Sequence, residues 1–150
     1  MEGALRSSLL ARHFDLRPLE VLDDRLIEVS GPRASLARFL IDNGFDYALG
    51  AVALDLADGG RAAASAARLA LERSPSPDDF RLIPYRPLQL EALALRARMT
   101  PPAPLRQWLN LGAWVCGEPA DGGRAAILPM LLPLARMRGR EARSFLRRAA

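Results

Sequence analysis

Leu111-Gly112-Ala113-Trp114-Val115-Cys116-Gly117-Glu118-Pro119-Ala120-Asp121 is the run of sequence from which the fold is best read. From Leu111 to Cys116 it is almost continuously apolar, and the Gly117-Glu118-Pro119 turn closes it. That pattern predicts a short strand buried on both faces, ending where the chain must leave the core. A helix of this length would not repay its nucleation, so the strand reading is preferred.

Beyond Asp121-Gly122-Gly123 lies a second apolar segment, Ile127 to Leu134, interrupted by Pro129 and Pro133. Proline cannot donate to a sheet ladder, so an edge strand is expected there. Arg136 to Arg148 then reads as a basic helix with few apolar anchors. On the other side, Leu105 to Leu109 predicts a helical turn leading into the central run, preceded by the rigid spacer Thr100 to Pro104. Leu88 to Met99 reads as a helix, and Phe80 to Tyr85 as an extended piece between prolines.

The first half supplies a strand–helix–strand unit. Leu26-Ile27-Glu28-Val29 is predicted as a strand, bounded by Asp23-Asp24 and Ser30-Gly31-Pro32. Ser30 or Ser35 can cap the helix beyond it, with Leu36, Phe39 and Leu40 on its apolar face and Gly44 closing it. Asp46 to Leu56 predicts a second, central strand, parallel to the first. Asp58-Gly59-Gly60 caps an alanine-rich helix over Arg61 to Arg73, which Ser74-Pro75-Ser76-Pro77 terminates. Before all this, Leu5, Leu9 and Leu10 suggest a short helical face, and His13 to Leu16 a connector. The hexapeptide Asp-Gly-Gly-Arg-Ala-Ala occurs at Asp58 and again at Asp121, in surroundings that do not match, so it is not read as a structural repeat.

Composition narrows the function. The chain is one domain's worth of sequence, half hydrophobic and a quarter charged, which is globular rather than disordered. The 21 basic residues are all arginine and the formal charge is +4; the planar guanidinium favours two-point contacts with anions such as phosphate and carboxylate. A single cysteine, Cys116, excludes an internal disulfide, and with one histidine, His13, a zinc centre is not expected. Cys116 in an apolar strand reads as a small core residue rather than a nucleophile. No run approaches a membrane span, and Met1-Glu2-Gly3 does not open a secretory signal, so a cytoplasmic protein is expected. No nucleic-acid-reading module accompanies the charge. Glu28 lies on the opposite strand face from Ile27 and Val29. It is either a carboxylate held for proton transfer or a solvated outer-face residue.

An ordered series of segments resembles a known family. It comprises Phe14 to Leu19, Phe39 to Tyr47, Ala57 to Gly60, Phe80 to Leu88, Pro102 to Trp108, the Leu111–Asp121 run, and Leu128 to Leu134. Together they resemble the ornithine acyl-acyl carrier protein N-acyltransferases, or hemolysin-like acyltransferases, a GNAT branch related to acyl-homoserine-lactone synthases. The resemblance implies an α/β fold, a GNAT-like mixed sheet flanked by helices, forming a single domain over residues 1–150 that is incomplete at its N-terminus. It implies transfer of a long-chain acyl group from acyl carrier protein, through its phosphopantetheine thioester, to the α-amine of ornithine or a similar acceptor in lipid synthesis. No permanently bound cofactor and no metal are implied.

In that reading Glu28 is the catalytic base, and Ser30, Gly31, Arg33 and Ser35 receive the donor's phosphate at the strand-to-helix turn. The family's connection at this turn is longer. Arg81, Arg86, Arg136, Arg138 and Arg140 would dock the acidic carrier protein or anionic lipid headgroups, leaving a peripheral contact with the inner membrane open. The alternative is a shortened, inactive relative serving as an interaction or membrane-surface module, or completing its sheet as a homodimer through an unpaired strand edge.

Overall fold

The computed structural model describes residues 8–33, 35–89 and 100–137. A mixed sheet forms the middle layer. Its strands are β2 (Leu26–Glu28), β3 (Tyr47–Asp55), β5 (Trp114–Val115), β6 (Ala120–Asp121) and β7 (Ala125–Pro133), in the order β2-β3-β7-β5, with β6 also on β7. β2 and β3 run parallel, and every pairing with β7 is antiparallel. The expected mixed α/β architecture is present. A separate pair, β1 (Phe14–Asp15) and β4 (Ile83–Pro84), is antiparallel.

Alternation along the strands separates two cores. Ala48, Val52 and Leu54 of β3, with Ala126, Leu128, Met130 and Leu132 of β7, face three helices: α1 (Leu36–Asn43), α2 (Arg61–Arg73) and α3 (Ala103–Leu111). Their buried contributions are Leu36 and Leu40, the alanines 63, 66, 67 and 70, and Leu105 with Trp108. Alanine along α2 lets that helix approach the sheet closely. On the other face Leu26, Leu49 and Leu131 meet Leu10, Phe14, Leu16, Leu19, Leu22 and Leu82. The stretch expected to be a connector, His13 to Leu16, therefore carries a strand with Phe14 fully buried.

Local signals act where they stand. Gly44 adopts a left-handed φ of 75°, and Phe45 N–H bonds back to the Leu40 carbonyl at 2.9 Å. Asp58 receives the amides of Gly60 and Ala62 at 3.1 and 3.0 Å, capping α2.

Two expectations are corrected. First, β7 is a central strand, not an edge. A residue's N–H and C=O point to the same side of a strand. The Pro129 carbonyl accepts Cys116 N–H at 2.9 Å, so the ring nitrogen of Pro129 also faces the β5/β6 side. There the ladder is already broken: Gly117, Glu118 and Pro119 bulge between Cys116, opposite Pro129, and Ala120, opposite Ile127. Pro133 has the same parity and lies beyond the end of β5. Neither proline costs β7 a bond to β3, with which it pairs from Tyr47↔Pro133 to Asp55↔Ala125.

Second, the central run is helix before it is strand. Leu111 ends α3, Gly112 turns the chain with φ 103°, and β5 proper is Trp114–Val115. Burial on both faces holds: Ala113 and Val115 belong to the helix-side core, Cys116 to the other. β5/β6 lies at the sheet's margin, where other segments cover it. Val115 exchanges bonds with Ser74 and Ser76, Leu82 N–H bonds Cys116, and Leu88 N–H bonds Pro119. The helix expected at Leu88–Met99 falls mostly on residues 90–99, and the basic C-terminal helix mostly on 138–150, both outside the described residues.

Candidate functional site

The opposite margin of the sheet is where candidate residues converge. β2 stops at Glu28, its last pair being Glu28↔Leu49, while β3 runs on to Asp55. Val29 N–H still bonds the Leu49 carbonyl at 2.8 Å, after which the chain turns away through Ser30-Gly31-Pro32-Arg33. Proline disfavours helical geometry in the residue before it, which delays α1 until the turn is complete. The Arg33 carbonyl then accepts Leu36 N–H at 3.0 Å, and α1 begins with no side-chain cap from Ser35.

A cleft of about 270 Å³ opens here, lined by Ile27, Glu28, Val29, Ser30, Arg33, Ser35, Leu36 and Phe39. Four of the five residues named for acyl transfer thus share one cavity. Gly31 lies in the same turn but does not line it, and a methyl group there would meet nothing within 4 Å. Glu28 Oε2 is out of contact with solvent and has no hydrogen-bond partner among the described residues. Leaving a carboxylate oxygen unsatisfied is costly, so the arrangement favours any donor that can reach it; alternation along β2 turns the Glu28 side chain to the face of Leu26, opposite Ile27 and Val29. Arg33 is exposed and lines the cleft, and α1 begins beside it with no side-chain cap. A cation or amine beside Glu28 and an anion beside Arg33 are the pairings this chemistry supports.

Phe39, expected on the apolar face of α1, is 41% exposed, stacked on Phe45 at 6.3 Å between ring centroids and lining the cleft. The i, i+3, i+4 spacing from Leu36 is that of a core position. Spacing alone does not show that the sheet beneath this end of α1 stops at Glu28, leaving the ring little to pack against.

The arginines are dispersed. Arg81 is half-buried, donates to the Ser76 carbonyl at 3.1 Å, and lies 4.0 Å from Asp78; its Nε is shielded and unpartnered among the described residues. Arg86 is exposed, and its carbonyl accepts Asp121 N–H at 2.7 Å. Arg136 sits 5.3 Å from the Trp114 ring centroid and donates to the Gly112 carbonyl at 3.3 Å. Arg138 and Arg140 lie outside the described residues. Cys116 is fully buried, and burial pushes its thiol up to about 12, against smaller opposing effects of Ser76 and Arg81. That suits a core residue rather than a nucleophile. Among the described residues no cluster of His, Cys, Asp and Glu could hold a metal, and no helix is long and apolar enough to cross a membrane.

No protein-family model matches the sequence, and neither a curated protein nor a solved structure shows significant similarity to it.

Proposed function

We propose that this chain is a GNAT-like N-acyltransferase, moving a long-chain acyl group from acyl carrier protein to the α-amine of ornithine or a similar acceptor. The observation that carries the reading is the shielded, unpartnered Glu28 Oε2, at the strand end where Glu28, Arg33 and the start of α1 line one cleft. In this mechanism the acceptor ammonium enters the cleft and gives a proton to Glu28. The freed amine attacks the thioester carbonyl, so a C–N bond forms and a tetrahedral oxyanion develops. Ala51 and Ala53 share the parity of Leu49, whose carbonyl faces β2, so their amides point to the open margin of β3. Such amides are suited to an oxyanion. Collapse breaks the C–S bond, the departing thiolate takes up the proton held by Glu28, and the freed carboxylate then accepts the surplus proton of the attacking nitrogen and passes it to water, leaving a neutral amide. Arg33, Ser30, Ser35 and the first amides of α1 receive the donor's phosphate.

The test is direct. Purified full-length chain, supplied with long-chain acyl carrier protein and ornithine, should yield the N-acyl product. Glu28→Gln should lower turnover about a hundredfold or more while leaving the circular dichroism spectrum unchanged. Absence of both turnover and binding to acyl carrier protein or a pantetheine analogue would refute the reading. The alternative, an interaction module without activity, draws on the open margin of β2, which has no strand neighbour on its outer side among the described residues. It requires an inactive protein that is dimeric in solution.

A further inference from the structure

A second cleft, of about 510 Å³, lies at the β5 end of the sheet, away from Glu28's margin, lined by Arg73, Ser74, Pro75, Pro101, Arg106, Leu109, Asn110, Trp114 and Arg136. Three arginines face one cavity, and no carboxylate among the described residues lines it. None of the three forms an ion pair with any described residue; the ion pairs among the described residues involve other arginines. Like charges gathered this way repel one another unless an anion neutralises them.

The walls are fixed rather than incidental. Ser74 Oγ donates to the Ala113 carbonyl and Val115 N–H to the Ser74 carbonyl, both at 2.7 Å, which locks the end of α2 to β5. Arg136 is oriented by its bond to Gly112 and its position over the Trp114 ring. Pro75, Pro101 and Leu109 add apolar wall, and the volume is that of a small-molecule site.

We propose that this cleft binds a phosphate monoester, whose dianionic head is held by Arg73, Arg106 and Arg136 and whose organic part lies against Trp114 and the prolines. Guanidinium groups match phosphate oxygens in two-point contacts, and three of them suit a dianion better than a carboxylate. The inference is independent of acyl transfer at Glu28, because it uses other residues.

The experiment titrates the full chain with a soluble phosphate monoester, glycerol phosphate, and separately with vesicles containing phosphatidic acid or phosphatidylcholine alone. Trp114 lines the cleft while Trp108 is buried, so tryptophan fluorescence should report occupancy, with calorimetry as an independent readout. Saturable binding of the soluble ester identifies a free phosphate as occupant; binding only to phosphatidic acid vesicles identifies a lipid headgroup. Arg106→Gln and Arg73→Gln should each weaken binding about tenfold. Arg61→Gln removes the same charge at the opposite end of α2, about 18 Å away, and should leave affinity within about twofold. No binding in either arm, or equal losses from Arg61→Gln and Arg106→Gln, would overturn the proposal.

Discussion

A methyl group added at Gly50 would lie 2.3 Å from Cζ2 and 2.8 Å from Cη2 of Trp108. Carbon atoms in good contact sit about 3.5–4.0 Å apart, so the indole would have to retreat by roughly an ångström or more. It has nowhere to go. Trp108 is only 1% exposed, wedged between α3 and the middle of the sheet, and Gly50 pairs with Met130 at the centre of the β3–β7 ladder. Gly50→Ala should therefore destabilise the fold by about 1–3 kcal/mol, the usual cost of overpacking a closed core. In a chain of this size each kcal/mol lowers the melting temperature by roughly 2–4 °C. Urea denaturation followed by tryptophan fluorescence and circular dichroism measures it. The decisive arm is a double-mutant cycle with Trp108→Leu, which destabilises on its own by removing a large buried ring. If the two groups clash as described, adding Gly50→Ala to Trp108→Leu costs at least about 1 kcal/mol less than adding it to the wild type. A neutral Gly50→Ala, or strictly additive effects, would refute the packing argument.

Gly117→Ala puts a methyl carbon 2.5 Å from the Leu82 backbone carbonyl oxygen, which cannot rotate away, so it should destabilise clearly in the same assay, while Gly31→Ala, in open space, should not. Asp58→Ala frees two amides at the start of α2 and should cost about 1 kcal/mol in urea denaturation. The Cys116 thiol should resist an aromatic disulfide reagent at about pH 8 until the protein is unfolded. Because burial raises its folded pKa to about 12 while the unfolded thiol ionises near ~8.5, the folded state binds more protons between those values, and stability should fall as pH rises through that window. Cys116→Ala should flatten that part of the stability profile.

Much of the fold was legible where the signal was local. The helix expected over Arg61–Arg73 has those bounds, because a capping Asp58 precedes it and Pro75 and Pro77 lie just beyond its end. Gly44 closes α1 in the conformation only glycine adopts cheaply. The same locality misled at β7. Two prolines argued for an edge, but their consequence depends on which side each ring nitrogen faces, and that is set by register with β5 and β6. The repeated hexapeptide makes the point independently. Asp58 begins it where α2 starts, and Asp121 begins it where a turn into β7 starts, with Asp121 accepting Gly123 N–H at 2.9 Å. In both copies the aspartate binds the amide two residues on. The downstream residues, alanine and leucine in one copy and isoleucine, leucine and methionine in the other, decide between helix and strand.

The candidate site divides along the same line. Glu28, Ser30, Arg33 and Ser35 are neighbours in sequence, so their proximity needs little from the fold. The crevice they line does. β2 is three residues long and β3 nine, and their pairing ends at Leu49, so about 20 Å of β3's margin on that side, from Gly50 to Asp55, continues with no strand beside it among the described residues. The chain leaves β2 at the point where that margin begins, and the Glu28 carboxylate at that point has one oxygen shielded and unpartnered among the described residues. A β2 longer by two residues would pair Ser30 with Ala51, cover its amide and fill the turn. Extending β2 by design, for instance by replacing Gly31-Pro32 with Val-Thr, should therefore abolish any ligand binding in the Glu28 cleft while leaving the phosphate cleft of Arg73, Arg106 and Arg136 intact. Loss of both together would mean that the two clefts are not the independent features their separate residues and separate walls describe.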